Sequence, residues 1–133
     1  MSAIKTATEV FRQDSEAPLA IEKWGWKYHH ISIPTQTAFK GERYLPAFKF
    51  YTSGFPTSPF GIEWMRFEPD SPIDKLIQTV PHFAFEVENI DIELAKREFQ
   101  ILTPPNAPVE GTRVAMIVHN GAPIELIQFN KLS

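Results

Sequence analysis

No cysteine occurs among the 133 residues, which excludes disulfide frameworks, thiolate metal sites and a cysteine nucleophile. Any metal would have to be held by imidazole and carboxylate groups. No apolar run approaches the length of a membrane span, and the start, Met1-Ser2-Ala3-Ile4-Lys5-Thr6, lacks the apolar core of a signal peptide. A cytoplasmic chain with no membrane partner is therefore expected. Excess positive charge is also missing: the net charge is −3 and the pI is near 5.8, which argues against a nucleic-acid partner, because neutralising phosphates needs a basic face.

What remains is ordinary for a folded domain, with 43% hydrophobic and 22% charged residues. A chain of this length can bury a sizeable core without disulfides or structural metal. A single domain over residues 1–133 is expected, with residues 1–25 as an N-terminal extension in which Ala3 to Arg12 can form a short helix.

The organising feature is a phrase that occurs twice. His30-Ile31-Ser32-Ile33 is echoed by His82-Phe83-Ala84-Phe85, and each copy is followed by a second matching phrase, Ile62-Glu63-Trp64-Met65-Arg66-Phe67 in one case and Ile124-Glu125-Leu126-Ile127-Gln128-Phe129 in the other. Self-similarity in fixed order marks duplicated supersecondary units. The first spans residues 27–68 and the second 80–130.

Coarse patterning supports this. Strands are expected at Trp26 to Ile33, Tyr44 to Thr52, Phe60 to Phe67, His82 to Val87, Val114 to Val118 and Ile124 to Phe129. Asn120-Gly121 joins the last two as a tight hairpin turn. Ile90 to Phe99 has apolar residues at 90, 94, 95 and 99, which predicts an amphipathic helix. Ser71-Pro72 reads as a helix start. Ser53 to Pro59 and Thr103 to Pro108 read as loops of turn formers.

Alternation along a strand sets His30 with Ser32 and His82 with Ala84, each His opposite apolar neighbours. A small residue two places after a histidine leaves room beside the imidazole. Alternation also turns His29 outward, away from His30. Glu63 shares a face with Met65 and Phe67, and Glu125 with Ile127 and Phe129, so each carboxylate sits among apolar groups and asks for a compensating charge. Taken singly, each histidine is a half-exposed or core residue and each glutamate an edge-strand carboxylate. Their repetition in matched phrases is what raises them above that reading. His119 reads as a turn residue, the aromatics of 44–60 as core or subunit interface, and Arg43, Arg66 and Arg113 as surface charges, one of which could bind a substrate acid.

The four phrases in this order resemble the vicinal oxygen chelate superfamily, which includes glyoxalase I, bleomycin- and fosfomycin-resistance proteins, methylmalonyl-CoA epimerase and extradiol dioxygenases; the closest match is the glyoxalase I-like pattern. The resemblance covers roughly residues 27–130 and implies an α+β fold of paired βαβββ units, whose curved mixed sheets surround a metal-binding cleft. His30 and Glu63 are 33 positions apart against 43 for His82 and Glu125, so the first unit is truncated.

Carried over, the pattern makes His30, Glu63, His82 and Glu125 the metal ligands. Two imidazoles and two carboxylates suit Zn, Ni, Co, Mn or Fe(II) better than Ca or Mg. The implied activity is that of a lyase or isomerase of the glyoxalase or epimerase kind, moving a proton beside a carbonyl on a small-molecule substrate, with Glu125 as base and Glu63 as the alternative. A homodimer is also implied. Two other functions compete: a metal-free binding or resistance protein, against which the four retained ligands speak, and a ring-cleaving dioxygenase, which in the family uses a His-His-Glu set and a larger chain.

Overall fold

Period-two alternation of β-branched and aromatic residues dominates the chain, and a sheet results. The computed structural model describes residues 12–130. The expected helix at Ala3 to Arg12 lies outside them but for its last residue. The strands are β1 Lys27–Pro34, β2 Arg43–Leu45, β3 Phe50–Ser53, β4 Ile62–Phe67, β5 His82–Glu86, β6 Gln100–Val109, β7 Thr112–His119 and β8 Ala122–Phe129, with helices α1 Leu19–Glu22, α2 Lys75–Thr79 and α3 Ile90–Lys96. They form one curled mixed sheet in the order β2-β3-β4-β1-β5-β8-β7-β6, an α+β half-barrel.

That order is a repeat. Each half puts its first strand at the centre, pairs its fourth strand parallel beside it, and runs outward through its third to its second. β1 and β5 meet antiparallel in the middle. The second half carries α3 between its first and second strands, whereas the first half has no helix between β1 and β2, which accounts for the truncation expected from the shorter His-to-Glu spacing.

Three expectations needed correction. The single strand at Tyr44 to Thr52 is two strands, β2 and β3, paired as a hairpin. Pro46 has no ladder donor, and Lys49 adopts φ 53°, so the chain folds back there. The loop at Thr103 to Pro108 is instead part of β6. Its prolines are tolerated because β6 is the outermost strand of its half, where a missing N–H breaks no second ladder, and because three register shifts absorb the misfit with β7. The helix start is not Ser71 but Asp74, whose carboxylate accepts from Leu76 N at 2.8 Å, while the Ser71 hydroxyl donates to Phe48 O at 2.6 Å.

The Asn120-Gly121 turn forms as expected, with φ 49° and 81°, closing the β7–β8 hairpin. The amphipathic helix also forms, starting under the Asn89 side chain, which accepts from Ile92 N at 3.0 Å, and ending at Lys96, short of Phe99. Trp26, Val87, Ile90, Ala115, Ile117 and Leu126 make the core, with Ala20 and Trp24 of the N-terminal segment packed against it. No helix among the described residues is long and apolar enough to cross a membrane.

Leu126 is 0% exposed, so truncating it leaves a cavity as well as losing transfer energy. Leu126→Ala is expected to cost about 2–5 kcal/mol, read as a lower denaturation midpoint. A loss under ~1 kcal/mol would mean that the core closes over the gap.

Candidate metal centre

Strand register brings the four expected residues together within one chain. Ser32 is opposite His82 and His30 opposite Ala84 across the β1–β5 pair. On the outer sides, Glu63 lies beside Ser32 and Glu125 beside Ala84. Each glutamate thus stands next to the small residue two places after a histidine. All four line a cleft of ≈ 400 Å³ on the curled sheet, whose other walls include Phe50, Met65, Ile77 and Ile127.

His82 Nε2 lies 3.0 Å from Glu125 Oε1. His30 Nε2 lies 3.7 Å from the same oxygen and 3.6 Å from Glu63 Oε1. Ligand atoms of His30, His82 and Glu125 all fall within 4.8 Å of one another. Glu63 falls outside that group, and one of its oxygens accepts a hydrogen bond from the Ser32 hydroxyl at 2.8 Å. Both histidines are buried, while the Glu63 and Glu125 side chains keep 25% and 18% of their exposure.

One atom is out of balance. His30 Nε2 is buried and has no hydrogen-bond partner among the described residues, although a buried polar atom without a partner costs on the order of 1–3 kcal/mol. It faces two carboxylate oxygens at distances too long for hydrogen bonds. Two donors each about 2.1 Å from a tetrahedral ion are about 3.4 Å apart, so the His82–Glu125 and His30–Glu125 separations of 3.0 and 3.7 Å fit donors arranged around a divalent cation. The donor set, imidazole and carboxylate, fits a borderline transition metal.

His29 departs from expectation. Strict alternation turns it outward, but the register slips between Tyr28 and His30, and a slip of this kind re-aims a side chain. His29 therefore lines the same cleft as His30, with its Nδ1 2.8 Å from His30 Nδ1 and its ring stacked on Phe55. One of the two nitrogens donates to the other. With the hydrogen on His30 Nδ1, the lone pair of Nε2 is left for a cation, which is how a ligating imidazole is commonly oriented. Gly61 makes the slip possible: it has φ +72°, and a Cβ there would sit 3.0 Å from His29 O.

Burial holds His30 below the ordinary imidazole value of 6.5; Glu125 and Glu63 pull it up by less, and His29 and His82 push it down with burial. Between the lowered folded value and 6.5 the unfolded chain binds more protons at this position. His30's contribution to stability is therefore complete above about pH 6.5 and is lost as pH falls through the folded value. Urea unfolding at about pH 7 and about pH 5 should show that loss, and His30→Gln should reduce it. Equal pH slopes in the two proteins would remove His30 as its source.

Arg66 and Arg113 are held by carboxylates, Arg66 by Glu42 at 2.7 Å and Arg113 by Asp91 at 2.9 Å. Arg43 is different: it lines the cleft with Leu45 and has no carboxylate partner among the described residues.

No protein-family model and no curated protein matches the chain. Solved structures do resemble it. The hypothetical protein BH1468 from Bacillus halodurans C-125 is 20% identical and superposes with a TM-score of 0.61, covering 81% of this chain and 97% of that one. Methylmalonyl-CoA epimerase from Mycobacterium tuberculosis is 16% identical, with a TM-score of 0.53 over 79% of this chain and 89% of that one. The likeness is one of fold, and it does not single out the glyoxalase I-like pattern.

Proposed function

We propose that this protein is a divalent-metal-dependent isomerase of the epimerase kind, with His30, His82 and Glu125 holding the ion and Glu63 moving the proton. The observation that carries this reading is the buried His30 Nε2, without a hydrogen-bond partner among the described residues and aimed into a gap that Glu63 and Glu125 face. Zn, Ni, Co, Mn and Fe(II) all suit the donors. When bound, such an ion would stabilise negative charge developing on a substrate carbonyl oxygen.

The chain's own groups supply the rest. Glu63 accepts the proton from the carbon beside the carbonyl and returns it, and for this it must stay free as a carboxylate, which its place outside the compact group favours. This reverses the roles expected from sequence, where Glu125 was the preferred base. The apolar cleft walls would exclude water from the developing carbanion. Arg43 is positioned to meet an acidic group of the substrate, in the same domain and cleft. The protein is expected to act as a homodimer.

A second reading has one observation in its favour. Two histidines and one carboxylate within 4.8 Å are the donors of the iron(II) oxygenase facial triad.

Elemental analysis of protein purified without chelator should find about one divalent ion per chain. The loaded protein should then exchange the α-hydrogen of methylmalonyl-CoA or hydroxyacetone with deuterated water. Oxygen uptake with catechol, and no exchange, would transfer the site to the second reading, and a chain that takes up no divalent ion would end both.

A further inference from the structure

The two halves of the sheet hold equivalent residues in equivalent register, and at one pair of positions beside the site they differ chemically. Ser32, two places after His30, stands across from Glu63. Ala84, two places after His82, stands across from Glu125. Both are 0% exposed, so neither is a solvent-facing choice. The Ser32 hydroxyl donates to Glu63 Oε1 at 2.8 Å. The Ala84 side chain has no hydrogen-bond donor, and Glu125 instead approaches His82 Nε2 at 3.0 Å and joins the compact group that leaves Glu63 out.

A carboxylate oxygen that accepts a hydrogen bond gives up part of its electron density and its freedom of direction. We propose that Ser32 is a positioning residue that withholds Glu63 from the ion, and that Ala84, by lacking a hydroxyl, releases Glu125 to it. One oxygen atom thereby divides labour between two carboxylates that the duplication made equivalent, one binding and one transferring a proton. This rests on the metal-centre reading and extends it to the cause of the asymmetry.

The test is zinc affinity of the full chain at fixed pH, by competition with a chromophoric chelator. Ser32→Ala should tighten binding by about tenfold, because Glu63 becomes a fourth protein ligand. The gain should vanish in Ser32→Ala/Glu63→Gln, which ties it to that carboxylate. Ala84→Ser should weaken binding by about tenfold by drawing Glu125 aside. If the added atom at this packed position prevents folding, the Ser32 variants decide alone. Unchanged or weaker binding in Ser32→Ala, with zinc bound normally by the unaltered chain, overturns the tether and spares the metal centre. No zinc binding by the unaltered chain overturns both.

Discussion

Glu63→Gln is expected to leave the protein folded and carrying its metal, yet to lower α-proton exchange by about 10²–10⁴-fold, the usual contribution of a general base and equivalent to about 3–5 kcal/mol of barrier. Glutamine keeps the shape of the side chain, and its carbonyl oxygen can still accept the Ser32 hydroxyl that now bonds Glu63 at 2.8 Å. It cannot take up a proton at neutral pH. The His30, His82 and Glu125 group does not include Glu63, so the ion should stay. Glu125→Gln should behave differently, losing metal and exchange together, since an amide is a poorer ligand than a carboxylate. Measuring metal content and deuterium exchange on both variants separates the roles. Metal loss from Glu63→Gln as severe as from Glu125→Gln would make Glu63 a ligand, and full exchange by metal-loaded Glu63→Gln would remove it as the proton carrier.

Which strands carry the site was legible because the signal was doubled. A strand's face is fixed by period-two alternation, and the two His-to-Glu phrases occupy equivalent strands, so the inward faces of β1, β4, β5 and β8 could be assigned before any pairing was known. Register then did the rest: parallel pairing of the first and fourth strands in each half sets Glu63 beside Ser32 and Glu125 beside Ala84.

Three of the misses share one cause, namely that they depend on neighbours distant in sequence. The prolines of β6 break a strand only where a second partner needs the N–H, and edge position is a property of the whole sheet. Unbroken alternation turns His29 away from the cleft. The slip at Tyr28/His30 needs Gly61, 32 positions on from His29, where a Cβ would crowd the His29 carbonyl. The division between Glu63 and Glu125 was hidden for a subtler reason. Serine and alanine both read as small residues leaving room beside an imidazole, and only the paired strand reveals that one of them has a carboxylate within reach of its hydroxyl.

Adding the ion should also stabilise the fold. At a free zinc concentration about 100 times its dissociation constant, the folded chain is expected to gain about 2.7 kcal/mol. For a domain of this length, at roughly 4 °C per kcal/mol, that is a rise of about 10 °C in Tm. The physical origin lies in the cleft: without a cation, His30 Nε2 is buried with no hydrogen-bond partner among the described residues and two glutamates face it among apolar walls, an arrangement that folding must maintain at a cost. An ion coordinated by that nitrogen relieves both terms in the folded state alone, because the unfolded chain separates His82 from Glu125 by 43 positions and His30 from His82 by 52. The increment should disappear in His82→Ala and Glu125→Gln and persist in Glu63→Gln, so thermal scans with zinc and with chelator give an ordering of the variants that requires no substrate. A Tm unmoved by zinc in the unaltered chain would leave the buried nitrogen unexplained and the metal centre without support, whereas a rise that survives His82→Ala would place the ion somewhere other than between the two halves of the sheet.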